Sequence, residues 1–539
     1  MNILALAFTR RYISYSLSLF SSVVFLILIL AVSPAFLPIF LLALLLAAVG
    51  THDLLQTHHS ILRSYPIAAH LRFLLENVRP EIRQYFLESD TDGVPFDRNT
   101  RAIVYQRAKG QLDKRPLGTE LNVYGESYEW INHSLAPKDR ERQPFRVQVG
   151  GSDCKKPYSA SVLNISAMSF GALSANAIRA LNKGAKTGGF AHDTGEGGLS
   201  QYHRENGGDI IWEIGSGYFG CRTAEGAFSP QRFAEQARAD QVRMIEIKLS
   251  QGAKPGHGGV LPAAKVSAEI AAARGVPMGV DCNSPSRHSE FSTPIGLLEF
   301  VARLRDLSEG KPVGFKLCIG HPWEFLSIGK AMLATGIYPD FIVIDGKEGG
   351  TGAAPLEFVD HMGTPLQEGL MFAHNMLVGL NIRDRIRLGA SGKIITAFDM
   401  ARTMAMGADW CNSARGFMFA LGCIQAQACH TDRCPTGVTT QDKVRQRALV
   451  VPDKAERVYN FHRATLAALA ELIASAGLSH PGELSPRHFL KRVSPDVVAS
   501  YEQIHRFLNP GELLAGTEDE RFKQSWSMAQ ADSFSPAGN

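Results

Sequence analysis

The chain has 539 residues, 45% of them hydrophobic and 20% charged, with a formal net charge of +4. That is the composition of a folded protein, long enough for one large domain with extensions or for two to three ordinary ones; the near-neutral balance and the lack of a long basic run exclude nucleic acid as a partner. Five of the eight cysteines (Cys154, Cys221, Cys282, Cys318 and Cys411) are scattered without pattern, which excludes a secreted disulfide framework and fits a reducing cytosol.

The first predicted element lies in the membrane. From Tyr12 to Thr51 there is no Asp, Glu, Lys or Arg. One crossing takes roughly 20 apolar residues, so the run has room for two. The segment SPAFLP, Ser33–Pro38, breaks it and predicts a hairpin with spans over 14–32 and 36–51. Arg10 and Arg11 precede the run, and Arg63 and Arg72 follow it. Positive charge on both flanks keeps both ends in the cytoplasm. A signal peptide is the competing reading, and the second apolar run directly behind the first argues against it. Residues 1–51 are therefore read as an anchor in the cytoplasmic (inner) membrane, with lipid as its partner and the catalytic domain facing the cytoplasm.

Residues 52–150 read as an extension: an amphipathic helical stretch broken at Pro66 and Pro80, then polar, turn-rich chain. From Ser159 the texture changes to short β-branched runs, each followed by a glycine-rich loop and a helical pattern. The predicted strands are 161–167, 188–193, 243–249, 277–281, 312–318, 340–345, 385–391 and 409–414, with IIWEIGS (211–217) as an extra strand in an insertion. Eight βα units predict an α/β fold, a (β/α)8 TIM barrel over 151–442, in preference to a doubly wound sheet. The glycine-rich segments fall at the strand C-terminal ends, where such barrels keep their active sites. Residues 443–539 read as a helical tail with a loose end after Leu514.

Four groups of residues carry chemistry. In NISAMSFGALSANAIRALNKGAKTGG (164–189) a strand ends in a small-residue turn, and a helix begins near Ser174 as N-cap. Small residues there let a flat cofactor approach the backbone. The loops DTGEGG (193–198) and EIKLSQGAKPGHGG (246–259) place Lys248, Gln251 and Lys254 where cationic and amide groups suit a dicarboxylate. The loops DGKEGGTGAAP (345–355), GASGK (389–393) and SARGF (413–417) fit a phosphate site, with Arg415 adding charge. Lys316, inside the apolar strand VGFKLC, must find a negative partner or bear the desolvation cost, and an anionic reduced flavin is one such partner.

The fourth group is GCIQAQACHTDRCPTG (422–437), in which Cys423, Cys429 and Cys434 are spaced C-x5-C-x4-C-P. A zinc site wants four ligands, and neither a second pair nor a His-x-x-His stands nearby; His430 points elsewhere if the segment is extended. Clustered thiolates before a proline suit an iron–sulfur cluster, and three of them fit a three-iron cluster. Cys411 as a distant fourth ligand would change the cluster type, and three unrelated buried cysteines is the remaining alternative.

Together ISAMSFGALS, DTGEGG, IKLSQGAKPGHGG, FKL, EGGTGAAP and ALGCIQAQACHTDRCPTGVTTQD resemble, in order, the synthase domain of the glutamate synthase large subunit. The likeness covers roughly residues 90–475, and the anchor resembles that of stand-alone relatives of the same family. The resemblance implies reductive amination of 2-oxoglutarate with ammonia, through 2-iminoglutarate, to L-glutamate. It implies FMN and a [3Fe-4S] cluster held by Cys423, Cys429 and Cys434. It implies Lys316 beside the flavin, Met168 and Ser169 behind the ring, and Gly349, Gly350, Gly392 and Arg415 around the phosphate. Gln251 and Lys254 would hold the oxo acid, with Glu196 on the loop lining ligand and flavin. Two alternatives keep the cofactors: a different amine or oxo acid, and a membrane-tethered electron-transfer subunit.

The departures from that family are specific. Met1 is followed by Asn2 and the apolar run, so no N-terminal cysteine nucleophile is expected. Neither the C-terminal β-helix domain nor a GxGxxG nucleotide motif is recognised. Ammonia is then expected free or from a separate glutaminase, and electrons from a ferredoxin, a reductase subunit or a membrane donor. His257, Asp193 and Ser391 stand where the family commonly has Glu, Asn and Asp.

Overall fold

The structure is a computed structural model that describes residues 9, 11–56 and 58–538; Met1, Asn2 and Arg10 lie outside the described residues. The chain divides into two compact units, Met1–Val94 and Pro95–Asn539.

In the first unit, α1 (Ile13–Ala31) and α2 (Leu37–Leu55) are joined by a single 3-10 turn at Pro34–Phe36. Both helices are long and apolar enough to cross a membrane. Their apolar side chains point outward rather than into a core, Leu30 being 79% exposed. Tyr15 and Thr51 share a hydroxyl hydrogen bond of 2.9 Å between the two helices. After a short helical turn at Ser60–Ser64, the helix α3 (Ala68–Ile82) runs through Pro80 and continues as a π turn over Arg83–Leu87. The break predicted at Pro80 is therefore absent. Proline forfeits only its own N–H bond, and the wider π turn just beyond accommodates the disturbance.

The second unit is built on a closed barrel of eight parallel strands in sequential order. They are β1 (Leu163–Ile165), β2 (His192–Asp193), β3 (Ile210–Ile214), β4 (Val242–Lys248), β5 (Val313–Leu317), β6 (Phe341–Asp345), β7 (Arg387–Ser391) and β8 (Trp410–Ser413). The barrel closes where β8 pairs with β1, Cys411 opposite Leu163 and Ser413 opposite Ile165.

The strand count agrees with the expectation, but the membership differs at one place. IIWEI, expected as an insertion, is β3, buried at all five positions between β2 and β4. A barrel strand is covered on both faces, so it reads as a continuous apolar run. The predicted strand 277–281 lies outside the barrel, with Met278 64% exposed. Only Cys282–Asn283 beyond it is extended, in an antiparallel ribbon with Val260–Leu261.

Helix α4 (Ala175–Gly188) starts as the sequence predicts: the Ser174 hydroxyl accepts from the Ala177 N–H at 3.2 Å, and Gly189 ends the helix at φ 64°. The seven-residue helix α5 (Arg415–Leu421) follows β8 directly. The 25-residue helix α6 (Val451–Ser475) packs on α4, α5 and the segment Arg98–Ala108. The tail beyond Leu514 is ordered, contrary to expectation. A helix over Glu520–Met528 buries Phe522, which stacks on Phe372 with centroids 4.8 Å apart. One aromatic anchor suffices where the flanking composition reads as polar.

Candidate active site

The strand C-terminal ends of the barrel open into a cavity of about 490 Å³, within the size range of small-molecule and cofactor sites. Thirteen of the residues singled out in the sequence line it: Met168, Ser169, Glu196, Lys248, Gln251, Lys254, His257, Lys316, Gly349, Gly350, Arg415, Cys429 and His430. They come from β1, β2, β4, β5, β6 and β8 or the loops that follow them. Gly392, Cys423 and Cys434 are not on the lining. A Cβ on Gly392 would meet Leu366 at 3.0 Å and Glu348 at 3.3 Å, so it packs against the β6 loop.

The end of the cavity lined by Lys248, Gln251 and Lys254 is cationic but internally compensated. Lys248 Nζ lies 2.9 Å from Glu196 Oε1 and donates to Gln251 Oε1 at 3.3 Å. Lys254 Nζ donates to the Gly258 carbonyl at 2.9 Å. Burial would raise the Glu196 carboxyl, but the Lys248 charge and hydrogen bond, with Lys254 and Arg274, bring it down to about 2. Lys254 is shifted down by burial, with Glu196 opposing and Lys248 reinforcing. Glu196 is thus a fixed anion.

The glycine-rich end is shaped by close approach. Gly195 has φ +62°, and a Cβ there would stand 2.7 Å from the Ser169 amide nitrogen and 3.0 Å from the Met168 carbonyl carbon. The β2 loop therefore lies directly on the β1 loop, which only glycine permits. Arg415 donates to the Gly350 carbonyl, and a Cβ on Gly350 would stand 2.6 Å from its guanidinium.

Lys316 has neighbours that sequence reasoning missed. Its ammonium contacts Glu213 of β3 and lies 3.0 Å from Glu246 of β4. Asp193 of β2 completes a buried group of three carboxylates whose oxygens lie within 4.8 Å of one another. Three carboxylates around one ammonium would carry an uncompensated double negative charge in a desolvated site, so the group retains protons. Burial raises Asp193, and although Lys316 opposes this, Glu213 adds to it and its carboxyl stands at about 7. Burial also raises Glu246 strongly. Burial would lower Lys316, but Glu213, Glu246, Asp193 and Asp345 hold it well above the usual lysine range. The signal was present in the sequence: Glu213 in IIWEI and Glu246 in RMIEIK are charges inside apolar strands, as Lys316 is.

The three cysteines of the loop do not all reach the cavity: Cys429 lines it, and Cys423 and Cys434 do not. They nonetheless sense each other: burial first, then Cys429 and Cys434, push the Cys423 thiol up to about 11. Burial would raise Cys434 too, but hydrogen bonds from Thr436 and Thr439 bring it down to about 7. Gln425, Gln427 and Asp432 have φ of 59°, 54° and 62°. Three non-glycine residues in the left-handed region within eight positions mark a strained loop. Lys265 Nζ donates to the Cys429 carbonyl at 3.0 Å. Cys411 is wholly buried on β8, and burial drives its thiol far up.

Residues 131–479 match the family profile described as a conserved region in glutamate synthase. The chain is 38% identical over 510 residues to the glutamate synthase large subunit-like protein YerD of Bacillus subtilis (strain 168), covering 86% of this chain and 96% of that protein. It is 35% identical over 316 residues to the archaeal glutamate synthase [NADPH] of Methanocaldococcus jannaschii, 58% of this chain but only 59% of that enzyme. Among solved structures a mandelate oxidase overlaps with 80% of this chain and 99% of its own at 14% identity and a TM-score of 0.37, too loose a fit to bear on chemistry.

Proposed function

The chain belongs to the glutamate synthase family, and from that premise we propose that it is an FMN- and iron–sulfur-dependent oxidoreductase converting 2-oxoglutarate and ammonia to L-glutamate. Carbonyl and ammonia condense to 2-iminoglutarate with loss of water; two electrons and two protons then reduce the imine to the amine. FMN, when bound, supplies the hydride, and a [3Fe-4S] cluster, when bound, supplies single electrons.

The residues fit those groups. The close approach of Gly195 to the Ser169 backbone supports Met168 and Ser169 as the residues that would back the flavin ring. Gly349, Gly350 and Arg415 would receive its phosphate, Arg415 exchanging its carbonyl bond for a charge-assisted one. Gly392 would support that cradle from behind. Cys423, Cys429 and Cys434 would hold the cluster on the strained loop. Gln251 and Lys254 would bind the two carboxylates of the oxo acid, while Glu196 keeps Lys248 oriented toward it. Lys316 would supply positive charge to the bound flavin, and the Asp193–Glu213–Glu246 group beside it would hold a proton.

The observation that carries this reading is that one cavity gathers the glycine-rich and cationic residues, with Cys429, from six strand ends. The electron donor would be a ferredoxin or reductase subunit, with ammonia free or from a separate glutaminase, at the cytoplasmic face of the membrane. A different oxo acid or amine is the second reading, favoured by the compensation of Lys248 by Glu196 and by His257 on the cavity wall.

The test is single turnover: the protein, purified anaerobically in detergent and reduced with dithionite, is mixed with 2-oxoglutarate and ammonium. Flavin reoxidation should accelerate only when both are present. Equal rates without the oxo acid would sink glutamate synthesis, and acceleration by another oxo acid alone would favour the second reading.

A further inference from the structure

Helix α3 and its π turn carry an exposed apolar stripe. Leu71, Leu74, Leu75, Val78, Ile82 and Phe86 recur at the spacing that keeps one face of a helix. Leu71, Leu75 and Phe86 are 61%, 56% and 82% exposed. A row of arginines, Arg72, Arg79 and Arg83, runs along one flank of the stripe at intervals of seven and four. Arg72 is paired with Glu76 at 2.8 Å, whereas Arg79 and Arg83 make no ion pair among the described residues. Stripe and flank together line a shallow cavity of about 570 Å³, formed by Leu75, Ile82 and Leu87 with Arg72, Glu76, Arg79 and Arg83.

The position of the helix identifies what covers it. Asp53, in the last turn of α2 and fully buried, accepts from the Ile67 amide at 2.9 Å and lies 2.9 Å from His70 Nε2. The start of α3 is thereby pinned to the end of an apolar span. A helix fixed there, apolar on one face and cationic along its edge, has the pattern of a helix lying in a membrane interface. Cations at that depth meet lipid headgroups.

We propose that α3 and its π turn lie in the plane of the leaflet where α2 ends, the stripe sunk among acyl chains and Arg79 and Arg83 bound to anionic phospholipid headgroups. The inference rests on α1 and α2 being membrane spans. The full chain, reconstituted in phosphatidylcholine vesicles with or without phosphatidylglycerol, carries a tryptophan substitution at one site per variant: Leu75→Trp, Asn77→Trp or Leu26→Trp. The added fluorescence at Leu75→Trp should be quenched by brominated phospholipid and shielded from aqueous iodide, with the reverse at Asn77→Trp. Quenching at Leu75→Trp should be about two-fold stronger from brominated phosphatidylglycerol than from brominated phosphatidylcholine. The double change Arg79→Gln/Arg83→Gln should bring that ratio to one. Leu26→Trp, within α1, reports the spans alone. If it is quenched by brominated lipid while Leu75→Trp is reached by iodide, the spans stand and the interfacial helix is overturned. If Leu75→Trp is reached by neither quencher, protein covers the stripe and the proposal is equally overturned. A headgroup ratio unchanged by the arginine substitutions removes the anionic-lipid assignment. Loss of quenching at Leu26→Trp overturns the spans themselves.

Discussion

Lys316 shows how a single buried charge organises its surroundings. Removing a lysine from water is costly, and the barrel offsets that with carboxylates from three neighbouring strands, Asp193, Glu213 and Glu246. The offset overshoots, so protons stay. Asp193 binds its proton more tightly in the folded chain, where its pKa is about 7, than in the unfolded chain at 3.8. Stability therefore falls as pH rises between those values and is lowest above them. Asp193→Asn should remove this slope, stabilising the protein by roughly 2–4 kcal/mol at pH 8 and by little below pH 4. Melting curves across that range check it; a parallel offset at every pH would mean that Asp193 is not the group concerned. At the same scale, Cys429→Ser should abolish the broad visible absorbance and the paramagnetic signal of an oxidised three-iron centre while the flavin spectrum persists. If both cluster signals survive, Cys429 is not a ligand. The identity of these charged residues was legible, but the partner of Lys316 was not. Glu213 is 103 positions away and reaches Lys316 only because the barrel wraps β3 beside β4 and β5.

Among the elements, the loops after β1 and β2 act as one unit because Gly195 lies on the Ser169 backbone. Both obstructing atoms are main chain and cannot rotate away. Gly195→Ala should then cost about 1–3 kcal/mol in backbone strain and reduce the flavin retained per purified chain severalfold. Flavin-to-protein ratio and melting temperature measure the two effects; a wild-type ratio would mean that these loops do not hold the flavin. The strands themselves illustrate where periodicity stops being informative. IIWEI and PMGVD are both short apolar runs beside glycines, and only burial on both faces separates the barrel strand from the exposed loop. Ser174 and Gly189, by contrast, mark the ends of α4 through contacts within a few residues, so that helix was readable without the fold.

For the whole molecule, the division at Val94 and Pro95 separates an apolar unit from the barrel unit, which has its own core. Deleting residues 1–94 should move the protein from the membrane to the soluble fraction with its flavin bound. Fractionation by ultracentrifugation decides this, and a truncated chain that still pellets with membranes would place the attachment on the barrel unit. The sequence by itself determined the apolar hairpin, the eightfold βα rhythm and the loop motifs that mark the family, because each depends on residues close together in the chain. Only the tertiary structure decided which run forms the third strand, that Glu196 neutralises Lys248, and that three carboxylates share one lysine. Those outcomes depend on which distant residues share a dehydrated space, where a charge's free energy is set by its neighbours rather than by its own type.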